Sequence, residues 1–297
     1  MTGDLGNVKE LEKRVLIRKI IKYFFIYLFL VIMAIYVVLP FYWMVNTSLK
    51  SNVEVDYLIP TFFPKDVRWE NYPNAMRYAS FGRYMINTLI VGVLSTIGTL
   101  VTTILAAFAF ARLNFKGRDI IFTVFLATMM IPGEMMVITN YITVSRLGWI
   151  APGNDIGVYA AMIVPFMVSI FYIYLLRQNF KQIPNELYYA AKVDGTSDFK
   201  YLLRIMIPIA SPTIISITIL KVMGAWNSYI WPNLVADEEH MRLITNGLRK
   251  AFTSDEGRSQ VNLQMAATTV VTLPLLFVFI FLRKYIMRGV SRSGIKG

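Results

Sequence analysis

Six long stretches of this sequence tightly limit what it can fold into, because they carry almost no charge. Tyr23 to Leu49, Tyr84 to Ala111, Ile156 to Leu176 and Ser259 to Leu282 contain no Lys, Arg, Asp or Glu. Ile120 to Gly133 is shorter but continues past one acid, Glu134, as MMVITNYITV. Ile205 to Leu220 is uncharged, and its apolar character resumes beyond Lys221 as far as Leu234. A membrane-crossing helix needs about 20 apolar residues, since the hydrocarbon core is roughly 30 Å thick. Each stretch reads as one span, the third and fifth less sharply bounded than the rest. Within lipid every backbone N–H and C=O must find an internal partner, so spans of this length form helices. The expected fold is an all-α integral membrane protein with six transmembrane helices. Residues 1–22 form an N-terminal segment, 23–282 the six-helix domain and 283–297 a basic tail.

Only 16% of the residues are charged, against about 25% in ordinary soluble domains, too few to cover a soluble core of this size. The formal net charge is +12, which in a soluble chain would suggest a nucleic-acid partner. Here it sets orientation. Six spans place both termini on one side. That side, residues 1–22, 112–119, 177–204 and 283–297, holds nineteen basic and seven acidic residues. The other side, residues 50–83, 134–155 and 231–258, holds ten basic and eleven acidic. By the excess of Lys and Arg in cytoplasmic loops, both termini are expected to be cytoplasmic. The first twenty-two residues are polar and mixed in charge, unlike a cleavable signal, and Asn7 to Arg18 reads as a short surface helix. There is no cysteine, and His240 is the one histidine. Disulfides, thiolate metal sites and cysteine nucleophiles are excluded, and a lone His240 makes no metal or catalytic site.

The segment from Arg177 to Arg204 reads RQNFKQIPNELYYAAKVDGTSDFKYLLR. Ile183-Pro184 opens a helix, with Pro184 suited to a first turn. Asn185 to Val193 continue it, and Asp194-Gly195 stops it, Gly195 supplying the left-handed turn. Thr196 or Ser197 caps a second helix, with Asp198 near its positive dipole end. Ala190 and Ala191 form a small-residue patch that another protein can approach, and Glu186, Tyr189 and Ala190 share a face.

This segment resembles the EAA loop of ABC importer permeases. The family pattern is Glu-Ala-Ala, then Gly three residues on, then Ile-x-Leu-Pro after nine more. Here stand Tyr189-Ala190-Ala191, Asp194-Gly195 and Ile205-Met206-Ile207-Pro208. Tyr189 replaces the family's Glu, and Glu186, one turn earlier on the same face, can supply part of the missing charge. The resemblance extends to Asn46-Thr47-Ser48-Leu49-Lys50, Asn87-Thr88, Ala109-Phe110-Ala111-Arg112-Leu113 with Phe115-Lys116-Gly117-Arg118, Trp226-Asn227 with Trp231-Pro232, and Gly294-Ile295-Lys296-Gly297. Together these are similar to the smaller, six-span permease of the carbohydrate-uptake (maltose-type) importers. The resemblance implies the type I ABC importer permease architecture. The 184–195 loop becomes the coupling helix seated on an ATPase subunit, through Glu186, Tyr189, Ala190, Ala191, Asp194 and Gly195, with Lys296 of the tail as a further ATPase contact. The implied partners are a second, homologous permease, two ATPase subunits, an extracytoplasmic sugar-binding protein and membrane lipid, with no nucleic acid.

Several residues carry two readings. Glu134 is either an acid at membrane depth, and then functional by default, or an interfacial residue beyond a span ending near Pro132. Lys221 and Asn227 either line a polar cavity or, for Lys221, snorkel to the outer interface. Pro208 and Pro212 bend the fifth span, as a gate or as plain irregularity. Trp226 to Trp231 is either a sugar-stacking platform or an interfacial anchor. In the outer loop 231–258, Asn246-Gly247-Leu248 is the expected part that reaches into a binding protein's cleft.

No G-x-x-x-x-G-K-[ST] phosphate loop occurs in the sequence, so ATP hydrolysis, and the ATP and Mg it uses, belong to partners. No cofactor and no catalytic role are expected of this chain. The expected function is that of a cell-membrane permease subunit of an ATP-driven, binding-protein-dependent sugar importer, forming half the translocation pore. The alternatives are a secondary transporter, which would want intramembrane ion pairs and internal repeats, or a permease for another solute delivered by a binding protein.

Overall fold

The computed structural model describes the backbone of residues 4–252 and 260–291, and the side chains of residues 15–252 and 260–281. Lys296 lies outside the described residues. Every regular element among them is helical. In chain order the α-helices are α1 (Asp4–Ser48), α2 (Asn52–Val55), α3 (Asn71–Tyr78), α4 (Phe81–Arg112), α5 (Arg118–Thr128), α6 (Val137–Arg146) and α7 (Asp155–Ile163). Then follow α8 (Ile170–Lys181), α9 (Asn185–Val193), α10 (Asp198–Tyr201), α11 (Ile207–Trp226), α12 (Ile230–Val235), α13 (Ile244–Phe252) and α14 (Val261–Ser291).

Among the described residues four helical stretches are long and apolar enough to cross a membrane: Val15–Ser48, Phe81–Arg112, Asp198–Trp226 and Val261–Phe281. Two bent helix pairs pass the same test together, bringing the number to six if each pair is one span. Arg118–Thr128 and Gly133–Arg146 meet at 87°, and Asp155–Phe166 and Ile170–Lys181 at 46°. Both breaks have a covalent cause. Pro132 and Pro165, one at each break, lack the N–H that would continue the ladder. The break between α7 and α8 frees carbonyls, and polar side chains take them up. Thr99 Oγ1 and Lys221 Nζ donate to Phe166 O at 3.0 and 2.9 Å, and Thr102 Oγ1 donates to Met167 O at 2.6 Å. Irregular backbone at membrane depth is tolerated where protein groups satisfy it in this way.

The short surface helix expected at Asn7–Arg18 is instead the start of α1, a single helix of 45 residues. Nothing interrupts it, since neither Gly nor Pro occurs between Val8 and Leu39. At about 1.5 Å per residue it is roughly 67 Å long, twice what the hydrocarbon needs.

The chain divides into two compact units. The first comprises residues 1–75 and 260–269, and a polar knot organises its loop. Lys50, only 3% exposed, donates from Nζ to Thr61 O at 2.5 Å and lies over the Trp43 ring. Its own carbonyl accepts from Asn71 Nδ2 at 2.8 Å and from Asn262 Nδ2 at 3.1 Å. Beside it the buried Glu54 carboxylate accepts the Thr61 hydroxyl at 2.6 Å and the Lys65 N–H at 3.0 and 3.1 Å. Burial alone pushes the Glu54 carboxyl up. The two donors and the charges of Lys50 and Lys65 outweigh it and hold the group below the usual carboxylate range.

The second unit comprises residues 76–259 and 270–297. Its centre is the trio α4, α8 and α11, packed on one another. One apolar cluster gathers Phe108, Leu176, Phe180, Ile183, Ala191, Tyr201 and Met206 at the end that carries α9. Another gathers Val91, Val144, Met162, Trp231, Val235 and Leu243 around α7 and α12. Along α4 the buried face is largely polar: Asn87, Thr88, Ser95, Thr96, Thr99 and Thr103. Small hydroxyls of this kind let helices approach closely in a membrane and still donate across the interface.

Candidate functional site

Helix α9 is built to present one face. Pro184 stands just outside it as the N-cap residue, one position earlier than the first turn expected for it. At the other end Gly195 takes φ +71°. The Thr196 N–H then returns to Ala191 O at 2.8 Å and the Gly195 N–H to Lys192 O at 3.1 Å, the paired bonds of a Schellman stop. Ser197 caps α10 through the Lys200 N–H. The turn is locked from outside as well. Tyr188 donates its hydroxyl to Asp198 Oδ1 at 2.7 Å, and Lys192 Nζ reaches the same oxygen at 2.8 Å. The bond to Asp198 holds the Lys192 ammonium pKa above its ordinary value. Burial, then the same carboxylate, pushes the Tyr188 phenol up.

Glu186, Tyr189, Ala190, Asp194 and Gly195 are all exposed, as are Leu187 and Val193. Ala191 is not. It is 7% exposed and packs inward with Phe180, Ile183 and Tyr201. The expected Ala190–Ala191 patch is therefore split, with Ala190 on the free face and Ala191 seating the helix. Rotation about the helix axis separates inward Tyr188 and Ala191 from outward Glu186, Tyr189 and Ala190.

A second feature lies around α11. A cavity of about 260 Å³ is lined by Ser95, Phe166, Tyr172, Lys221, Ser228 and Trp231 among others. Lys221 is half-buried there and turns inward to the Phe166 carbonyl rather than outward to an interface. Trp231 is neither an interfacial anchor nor a free stacking platform. It is buried, its Nε1 donating to Ala161 O at 3.0 Å and its ring set edge-on to Phe166. Trp226 is buried too. Asn227 is exposed at the end of α11, its amide spent on Met223 O. Pro208 is exposed and follows a π-helical turn at Leu202–Met206. The proline cannot donate, and the wider turn absorbs the mismatch. Glu134 is exposed within a short 3₁₀ turn, Gly133–Met136, at the bend of the third span.

The outer-loop residues fall elsewhere than expected. Asn246 is 1% exposed and donates to Tyr229 O at 2.9 Å. Gly247 is buried so closely on Tyr84 that a Cβ would lie 2.1 Å from the ring. Tertiary packing within the chain buries both, while Leu248 is half-buried. His240 is not alone either: its Nε2 lies 2.9 Å from Asp155 Oδ1, and its Nδ1 lies 3.5 Å from Glu238 Oε2.

Three of the sequence motifs quoted above hold structure at long range. Asn87 Nδ2 donates to His240 O at 2.8 Å and Arg242 O at 3.1 Å, while its Oδ1 accepts from the Tyr159 hydroxyl at 2.7 Å. Thr88 Oγ1 accepts the Ile244 N–H. Lys50 organises its loop, as described above. Arg112 donates to Phe180 O, Ile183 O and Asn185 Oδ1. Sequence reasoning gave these residues no role, although a polar residue closing an apolar helix is the available signal.

The chain is similar to known proteins over nearly its whole length. Residues 99–292 match the family described as "Binding-protein-dependent transport system inner membrane component". A "Probable ABC transporter permease protein MG189" of Mycoplasma genitalium is 31% identical over 274 residues, covering 88% of this chain and 85% of that one. An "Arabinooligosaccharides transport system permease protein AraQ" of Bacillus subtilis is 27% identical, covering 91% and 94%. Among solved structures, a chain of a bacterial ABC transporter involved in the import of the acidic polysaccharide alginate superposes with a TM-score of 0.77 at 21% identity, over 96% of this chain and 99% of that one. It shares the fold, that of a type I ABC importer permease. The breaks and caps of the spans, the surface helix α9 and these likenesses lead to one assignment: the chain belongs to the binding-protein-dependent transport system inner membrane component family, as a multi-pass, non-catalytic permease subunit of the cell membrane.

Proposed function

We propose that this permease carries a saccharide, most simply an oligosaccharide, as half of the pore of an ATP-driven importer. A second, homologous permease supplies the other half, two ATPase subunits supply the energy, and an extracytoplasmic binding protein delivers the solute. The observation that carries the reading is α9, a short helix braced on its inner face by Ala191 and presenting Glu186, Tyr189 and Ala190 outward. Its rigid turn at Gly195 lets force applied to the outer face pass into α10 and α11 rather than into a flexible loop. ATP-driven closure of the ATPase pair moves the seated helix, and the spans rock to open the pore to alternate sides. Both termini and α9 face the cytoplasm, on the side that holds nineteen of the basic residues.

The sugar class rests on the relatives: one is named for arabinooligosaccharides, and the solved neighbour belongs to an alginate importer. Uptake into proteoliposomes decides the matter. The chain is co-purified with its second permease and ATPases, and labelled oligosaccharides are offered with the partner binding protein. ATP-dependent uptake of a saccharide is expected. Uptake without ATP or without the ATPase would reject the reading in favour of a secondary transporter, and uptake of a non-sugar solute alone would reject the substrate class.

A further inference from the structure

Helices α4 and α8 run to the same end of the second unit, and each stops with its last carbonyls lacking helical partners. Each also carries an arginine at that end, and each arginine serves the other helix. Arg177, on α8 and 5% exposed, donates Nε to Phe110 O in the last turn of α4 at 3.1 Å. Arg112, the final residue of α4 and 9% exposed, donates Nη2 to Phe180 O in the last turn of α8 at 2.8 Å. Cations are stabilising at helix C-termini, where the dipole is negative. The exchange places two of them there without a carboxylate between the helices.

Arg112 goes further than capping. The same guanidinium donates to Ile183 O, in the connection between α8 and α9, and to Asn185 Oδ1, the first residue of α9. One side chain therefore touches the span before the surface helix, the corner leading into it, and its first turn. The planar fork of guanidinium makes these bonds at fixed angles. Arg177 is held in turn by the Phe122 ring, 3.8 Å from its guanidinium carbon, and by Asp119 at 3.7 Å.

We infer that Arg112 is the positioning residue that makes α4, α8 and α9 one rigid lever, so that displacement of α9 reaches the second and fourth spans without loss at the corner. The inference rests on the coupling role proposed for α9. Arg112 is buried among the helices of this chain and acts through α9.

The test uses the complete transporter: this chain with its second permease and ATPases, in liposomes, with the binding protein present. Solute moved per ATP hydrolysed is compared among wild type, Arg112→Ala, Arg112→Lys and Ala190→Arg. Nitroxide pairs at Asn114→Cys and Val193→Cys, introduced into this cysteine-free sequence, report how firmly α9 is held. Arg112→Ala is expected to assemble and hydrolyse ATP, to lose at least about fivefold in solute per ATP, and to broaden the distance distribution. Arg112→Lys, which keeps the charge but not the fork, is expected to fall between the two. If Ala190→Arg uncouples but Arg112→Ala keeps the wild-type ratio or a narrow distribution, the lever is overturned while the coupling role of α9 stands. If Ala190→Arg changes nothing, the coupling role fails and takes the lever with it. Should Arg112→Ala fail to assemble, Asn185→Ala and Arg112→Lys decide: a lowered ratio in both supports the lever, and a wild-type ratio in both overturns it.

Discussion

Gly247 lies against the ring of Tyr84 with no room for a methyl group between them, a Cβ there falling 2.1 Å from Cδ2. The contact joins the start of the second span to the loop helix α13. Tyr84 cannot retreat, since its hydroxyl is tied to Glu239 at 3.0 Å. Gly247→Ala should destabilise the protein by about 1–3 kcal/mol, as overpacking of a filled site does. Thermal unfolding in detergent measures it. Adding Tyr84→Ala should recover part of the loss, and a pair of strictly additive costs would show that the two residues do not meet.

Ala190 is exposed on α9 while Ala191 is packed beneath it. Ala190→Arg should leave the subunit folded and inserted yet lower transport by about tenfold or more, a coupling effect within the usual range. Ala191→Arg should instead destabilise the protein, because the charge would enter the apolar cluster of Phe180 and Tyr201. Expression level set beside uptake separates the two outcomes. Gly195 is a poorer probe, since any side chain at φ +71° adds strain of its own.

The Glu54 carboxyl, pushed up by burial but held down more strongly by Thr61, the Lys65 N–H and two lysine charges, keeps a net lowered value. A group depressed in the folded state adds stability above its unfolded value, near 4.3, and loses it as pH falls through the lower folded value. The loop of residues 50–75 should therefore be intact at neutral pH and come apart in acid. Glu54→Gln should cost about 1–3 kcal/mol at pH 7, since it removes the negative charge that strengthens the accepted bonds and sets an NH2 group against the Lys65 N–H. It should also flatten the acid limb of the stability curve. An acid limb as steep as that of wild type would assign the effect to another group.

Lys221 Nζ and Thr99 Oγ1 share the Phe166 carbonyl at the break between α7 and α8. Lys221→Met removes the charged donor and keeps much of the length. Hydrogen exchange at Met167 and Val168 should quicken, and the double change with Thr99→Val should cost more than either alone. Unchanged exchange in the double variant would show that the break needs neither donor.

The apolar spans, the Gly195 stop and the Ser197 cap were legible because each depends on local chemistry: hydrocarbon thickness, a left-handed backbone, a hydroxyl before a helix. What was not legible depends on partners far away in the chain. Asn246 and Gly247 were expected to reach into a binding protein's cleft, and only the structure shows Tyr229 and Tyr84 burying them. Trp231 read as either a stacking platform or an interfacial ring, and the Ala161 carbonyl that takes its N–H lies 70 positions away. His240 read as isolated because Asp155, 85 residues away, is invisible to a local scan. The bends at Pro132 and Pro165 had a signal in the sequence, but hydropathy averages over it. Ala191 was placed outward beside Ala190 because adjacency was read in place of helical rotation: a step of about 100° turns one alanine to the partner and the next to the core.

The bond from Asn262 to the Lys50 carbonyl spans 212 positions of sequence. At about 5–20 residues per second, roughly 10–40 s of synthesis separate the two residues. During that interval the loop after the first span has Asn71 but lacks its second amide, so this region is completed only once the start of the last span has left the ribosome. A chain ending before residue 262 lacks this second bond to the Lys50 carbonyl.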